Sequence, residues 1–293
     1  MTPPRAFDAP SQQTIRQPVA LSGIGLHTGA PSQVICLPAA VDTGIVFVRR
    51  DLVAAPEVKA ALAAVVDTQR GVTLGPDPLI RTVEHLLAAS AGLGISNLRV
   101  EMRGEELPIL DGSAAPYADA LLAAGVEEQG APWPLRTLDA PIWVASGEAW
   151  VLALPALGFR ATYIVPLARA RLGTQVVDFD PARQRFLDAV APARTWGFAD
   201  ELEHLRSQGL ALGASTENAL GIGEDGYIST PRFPDEPARH KVLDLIGDLA
   251  LLGRPVRAHL VACGAGHGLH LALANQIANA RPASRVQRPD GGE

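Results

Sequence analysis

In ARHKVLDLIGDL, residues 238–249, His240, Asp244 and Asp248 recur at steps of four, one helical turn apart. On a wheel turning about 100° per residue the three fall within an arc of about 80°, with Lys241 beside them and Val242, Leu245, Ile246 and Leu249 opposite. A His and an Asp one turn apart point the same way and can offer two ligands to one cation. By pattern alone the stripe also reads as the solvated face of an amphipathic helix, and chance supplies an acid at that spacing about as often as it occurs here.

A third ligand must come from elsewhere, and RTVEHLL offers one. Glu84 and His85 are adjacent, so on a helix they point about 100° apart and can flank one ion as base and ligand. Taken alone, this stretch reads more readily as a capped surface helix. AHLVACGAGHGLHLALANQI reads as a strand, a Gly-rich loop carrying His267, and a helix. GAGHGL lacks the third glycine and the acidic ribose partner of a dinucleotide fingerprint. GIGLHTG, residues 23–29, lies between β-like segments and predicts a glycine-rich hairpin with His27 displayed. His204, His259 and His270 sit in patterned segments without suggestive acidic neighbours, which predicts structural roles.

The elements that must position these groups follow from periodicity. TIRQPVALSGIGLHTG, SQVICLPA and TGIVFVRRDL predict an antiparallel sheet. RTVEHLLAASAGLG predicts a helix with Thr82 as N-cap and Gly92 and Gly94 as its stop. NLRVEMRG predicts a strand, ELPILDGSAAP a turn-rich connection, and YADALLAAGVEEQ a second helix. GAPWPLRTLDAP, with three prolines, places a boundary near Gly130. Beyond it, APIWVASGEAWVLALPALGFRATYIVPL predicts three strands, with helices at FADELEHLRSQG and at the His240 stretch. Strands followed by helices, twice, argue an α+β fold in two domains, 1–130 and 131–293, without a repeat at the level of sequence.

A chain of 293 residues, 47% hydrophobic and 19% charged, has apolar material for two cores. The net charge of −6, with both signs interspersed, provides no basic stripe and excludes nucleic acid as the expected partner. Cys36 and Cys263 are too few for a disulfide framework and form no Cys-x-x-Cys pair, which fits a reducing cytoplasm. No signal-peptide core opens the chain and no run of about 18 apolar residues occurs, so neither export nor a membrane span is expected. Only Lys59 and Lys241 are lysines.

Taken together, QQTIRQPVALSGIGLHTG, DTGIVFVRRDL, TVEHLLAASAGLGISN, ELPILDGSAAPY, ARTWGF, GLALGAS, RHKVLDLIGDL, GAGH and ALANQI, in this order over about residues 12–277, make the sequence resemble the UDP-3-O-acyl-N-acetylglucosamine deacetylases of lipid A biosynthesis. The resemblance implies two domains, each a layered sheet-plus-helices unit, facing each other across an active-site cleft. It implies a zinc amidase with His85, His240 and Asp244 as ligands, Glu84 as general base and His267 as the group that protonates the amine. Thr195 would support the oxyanion and Asp248 would hold the imidazolium of His267. Lys241, Trp196 and His27 would contact the substrate, a UDP-linked acylated amino sugar. An insertion over 197–226, opening with GFADELEHLRSQGLALGAS, would hold the acyl chain.

Iron(II) is an alternative occupant for the same ligand set. Gly264 stands where the family often has Lys, Trp196 where Phe is common, and Gly71 where a larger residue often lines the cleft. These departures leave room for a paralogue acting on another N-acetyl substrate, and a non-catalytic metal-binding module stands further off. The expected setting is a cytoplasmic monomer, compatible with a peripheral membrane contact, with a disordered tail at 281–293.

Overall fold

The computed structural model describes residues 9–280. The expectation of a disordered tail at 281–293 lies outside the described residues. Two five-strand layers dominate, and they share one plan. In the first, the strands run in the spatial order Val19–Ile24, Pro31–Pro38, Leu98–Arg103, Ile45–Arg49, Glu57–Lys59. In the second, the order is Ile142–Ser146, Ala149–Pro155, Val256–Cys263, Arg160–Leu167, Gly173–Phe179, with a short parallel addition at Arg136–Thr137. In each layer two hairpins form first in the chain and a later strand is inserted between them. That strand runs antiparallel to one hairpin and parallel to the other.

The parallel pairing corrects the purely antiparallel sheet expected for the first half. Ile45–Arg49 does not pair with Pro31–Pro38, because Leu98–Arg103 lies between them. Alternation supports the insertion: Leu98, Val100 and Met102 all point into the core, as do Val256, Ala258, Leu260 and Ala262.

Four longer helices complete the plan: α1 (Glu84–Gly92), α2 (Ala115–Ala123), α3 (Glu236–Ala250) and α4 (His267–Asn279). In each half, one helix precedes the inserted strand and one follows it. α3 was predicted as amphipathic, yet both its faces are buried, because α1, α4 and the second sheet all pack on it. His240, Asp244 and Asp248 are therefore interior groups rather than a solvated stripe.

Other local differences have physical causes. Thr82 does not cap α1: it adopts a left-handed φ of 57°, and its hydroxyl donates to buried Glu106 at 2.9 Å. The helix expected at YADALLAAGVEEQ stops at Ala123, and Val126–Pro132 becomes a strand paired with Ser11–Ile15 across Gly130. FADELEHLRSQG divides into a 3-10 turn, Ala199–Glu201, and a short helix, Leu202–Ser207. Among the described residues no helix is long and apolar enough to cross a membrane.

The halves meet most closely where α1 lies against α3. Gly247 sits directly on the backbone of Glu84, and a Cβ built there would overlap the Glu84 carbonyl oxygen. Gly247→Ala should therefore destabilise the fold by about 1–3 kcal/mol through overpacking against an unyielding backbone. Gly158→Ala, with nothing within 4 Å of the added carbon, should stay within about 0.5 kcal/mol. Urea denaturation of the two variants checks the contrast, which equal midpoints would contradict.

Candidate active site

α1 begins at the point where the chain must turn from strand Ile80–Arg81 into the interior, and buried Glu106 fixes that turn. One of its oxygens accepts from the Thr82 hydroxyl (2.9 Å) and the His27 N–H (2.8 Å); the other accepts from the Thr28 N–H (2.8 Å) and hydroxyl (2.7 Å). After Val83 come Glu84 and His85, both buried. The Val72 N–H donates to Glu84 Oε2 at 3.0 Å, which holds the carboxylate in place.

α3 supplies the facing groups. His240 directs Nδ1 to the Ala193 carbonyl at 3.0 Å, which leaves Nε2 pointing at Asp244, 3.2 Å from Oδ1. Such a backbone acceptor fixes the tautomer of a ligating imidazole. Lys241 Nζ donates to the other Asp244 oxygen at 2.9 Å. Thr195 comes from the segment just before strand Trp196–Phe198. Its N–H donates to Gly112 O at 2.7 Å, and the preceding Arg194 is locked to buried Glu236 through both its backbone N–H and its guanidinium, each at 2.9 Å.

His85, His240 and Asp244 present ligand atoms that all lie within 4.8 Å of one another. The His85 Nδ1 is buried and has no hydrogen-bond partner, an unusual state for an imidazole in a protein interior. Two imidazoles and a carboxylate, one ring nitrogen orphaned and the other tautomer fixed, fit a divalent cation of the zinc or iron(II) kind. Asp248, His267 and His270 form a second cluster of the same span. There the polar atoms already satisfy one another, since both rings direct Nδ1 at Asp248 Oδ2, at 2.8 and 2.7 Å. Of the two clusters, the first is the one whose donor set fits a metal ion.

Burial and charge set the protonation states. Burial pushes Glu84 up to about 7, with the nearby Asp244 and Asp248 adding to the rise against the opposing pull of His267. Burial and the proximity of His240 push His85 down to about 3, so it is neutral, as a ligand must be. Burial alone would raise Asp244, but His240, Lys241 and His267 outweigh it and hold the carboxyl well below its usual range. For His267 burial opposes the charge, yet Asp248 and Asp244 outweigh it and lift the ring to about 9.

Glu84, His85, Thr195, Trp196, His240, Lys241, Asp244 and His267 all line one cavity of about 290 Å³. Asp248 lies behind His267, fully buried. His267 is the first residue of α4 rather than part of a loop. Trp196 is held by its indole N–H, which donates to Pro237 O at 3.2 Å, and Lys241 Nζ lies 5.9 Å from its ring centre.

His27 is not displayed as the sequence suggested. It is buried because the Ala211 N–H donates to its Nδ1 (3.3 Å) and its Nε2 faces the Arg70 carbonyl (3.2 Å), and it lines a neighbouring cavity with Gly71 and Thr82. Gly264 has a φ of 57° where the strand Val256–Cys263 ends, a turn that favours glycine over any residue with a side chain. Reading the sequence missed Glu106, which no periodicity marks, and His270, whose three-residue step from His267 on one helix was an available signal.

The chain is similar to known proteins along most of its length. A family model described as UDP-3-O-acyl N-acetylglycosamine deacetylase matches residues 12–279. Among the curated relatives named UDP-3-O-acyl-N-acetylglucosamine deacetylase, that of Thermosynechococcus vestitus is 45% identical, covering 95% of this chain and 98% of its own. That of Myxococcus xanthus is 42% identical over 91% and 86%, and that of Phenylobacterium zucineum 41% over 94% and 96%.

Purified protein should carry about one equivalent of divalent metal per chain, the number that the single favoured donor set can hold. His240→Ala and Asp244→Ala should lose that metal. Elemental analysis of the gel-filtered variants measures this, and full retention in both would remove the assignment.

Proposed function

Because the chain belongs to the UDP-3-O-acyl N-acetylglycosamine deacetylase family, we propose that the cavity between α1 and α3 is where its reaction takes place. The protein is a hydrolase that removes the acetyl group from UDP-3-O-acyl-N-acetylglucosamine, a step in lipid A biosynthesis. The finer assignments that follow are our reading of how this chain carries the reaction out.

His85, Asp244 and His240 hold a catalytic metal, taken as zinc, with iron(II) as the other occupant the set would accept. When bound, such an ion polarises a carbonyl and acidifies water. Glu84 accepts the proton of the attacking water, a role suited to a carboxylate whose affinity for protons burial has raised toward neutrality. His267, held as imidazolium by Asp248, gives a proton to the departing amine. The Thr195 hydroxyl supports the oxyanion. Lys241 and Trp196, side by side at the cavity wall, meet the substrate's polar part. His27 meets the substrate from the neighbouring cavity, where the missing Cβ of Gly71 leaves room between His27 and Glu84.

The observation that carries this reading is the pairing of a buried base with a buried acid across one cavity. Glu84 comes from the first half, His267 from the second, and their proton affinities, about 7 and about 9, leave a range in which the first is unprotonated and the second protonated. A binding module has no need of both.

The acyl chain is placed along the 197–226 insertion, a small sheet and helix on which Leu212 stands half-exposed, with Ile228 exposed just beyond it. We take the working unit as two domains, 1–130 and 131–293, acting as a monomer in the cytoplasm.

Glu84→Ala should lower kcat by about 10²–10⁴, the usual contribution of a positioned general base, while metal content is retained. Unchanged turnover would contradict the assignment. Asp248→Asn removes the charge that raises His267, so His267 releases its proton at lower pH. The alkaline limb of the pH–rate profile should accordingly move to lower pH. A limb that stays in place would show that His267 is not the proton donor.

A further inference from the structure

Asp248 has a second histidine partner, which the mechanism above leaves unused. His270, one turn beyond His267 on α4, is completely buried, and its Nδ1 lies 2.7 Å from Asp248 Oδ2, the oxygen that also faces His267 Nδ1 at 2.8 Å. On its far side, His270 Nε2 lies 2.7 Å from the hydroxyl of Tyr163, itself fully buried in the strand Arg160–Leu167. That hydroxyl is also 2.7 Å from the carbonyl of Ala265, in the loop that leads directly into His267.

The proton positions follow from what each atom can do. Asp248, held ionised by the two rings against its burial, can only accept, so His270 Nδ1 carries a proton and donates it to Oδ2. Tyr163 gives its one proton either to His270 Nε2 or to the Ala265 carbonyl, and in the second case Nε2 carries a proton of its own and donates it to the Tyr163 oxygen. In either placement the Nδ1 donation to Asp248 is unchanged.

From this chain of contacts we propose that His270 is a positioning residue for the deacetylation, acting through Asp248 on His267. Resting on the deacetylase reading above, the inference adds a member to its proton-donating side. Held by the His267 ring alone, the Asp248 carboxylate would be free to turn about its own axis. Two donors converging on Oδ2, with Tyr163 bracing the second, fix its plane. Tyr163 also ties the Ala265 carbonyl to the same network, so the loop before α4 and the carboxylate behind it are located by one set of bonds. His267 is thereby aimed into the cavity with little freedom to rotate, as a proton donor must be.

The test compares three variants of the metal-loaded enzyme. His270→Leu removes both ring nitrogens. His270→Asn restores an N–H donor on the same carbon that bears Nδ1. Tyr163→Phe removes only the brace. His270→Leu should lower kcat about 10–100-fold, the range common for partners that orient an active-site group, with KM and metal content unchanged. His270→Asn should recover most of that loss, and Tyr163→Phe should show a smaller fall in kcat alone. In proton NMR, the downfield Nδ1–H resonance of His270 should be present in wild type and absent in His270→Leu, and the corresponding His267 signal should broaden or move.

Wild-type kcat in His270→Leu, or equal losses in the Leu and Asn variants, would overturn the proposal in favour of simple packing. Should His270→Leu fail to fold, Tyr163→Phe decides: a fall in kcat alone supports the brace, and wild-type kcat overturns it. Inactive wild-type protein with metal bound would instead point to a failure of the substrate assignment.

Discussion

The site depends on one close approach, that of α1 to α3 at Gly247. Glu84 and His85 open α1, while His240, Asp244 and Asp248 lie along α3, so neither helix alone makes a site. The backbone of Glu84 rests on Gly247, three residues past Asp244 and one before Asp248. Any side chain at 247 would lift α1 away and move Glu84 and His85 together. The two helices hold corresponding places in the two halves, each just before the inserted central strand. The chemistry therefore occupies the seam between two copies of one layer plan, which sets the relative position of groups more than 150 residues apart.

Such a seam concentrates charge where water is scarce. Glu84, Asp244 and Asp248 are all nearly or fully buried, and so are His85, His240, His267 and His270. Burying a carboxylate is tolerated only when cations or donors surround it. The structure meets this condition unevenly. Asp244 has Lys241 and His240, and Asp248 has two rings, whereas Glu84 has one backbone donor and faces two other carboxylates. The uneven distribution separates the three: the well-served acids stay ionised, and the poorly served one gains affinity for protons.

Much of this was legible in the sequence, for reasons that differ by residue. The four-residue steps on α3 and the adjacent Glu84–His85 pair are local patterns: four of the five groups they mark, Glu84, His85, His240 and Asp244, share a cavity, and Asp248 lies just behind it. The helices and most strands followed from alternation and periodicity, and the repeated order of elements anticipated the repeated layers. What failed was the part set by long-range contact. No local pattern shows that Leu98–Arg103 inserts between two hairpins, or that Glu106 draws Thr82 out of a capping role and fixes His27 inside. The burial of the stripe on α3 was equally hidden, because its polar face is covered by a helix from the opposite end of the chain. His270 lay in plain view one turn from His267, but its meaning depends on Asp248 and Tyr163, which only the fold brings near.

The central claim is that one ion binds across the seam, between α1 and α3. It is tested most directly by locating the metal in crystals of the metal-loaded protein by anomalous scattering at the zinc edge. The account predicts a single strong peak about 2.0–2.2 Å from His85, His240 and Asp244, with the Asp248, His267 and His270 cluster free of metal. A principal peak among Asp248, His267 and His270, or one bound by groups of a single half, would contradict it.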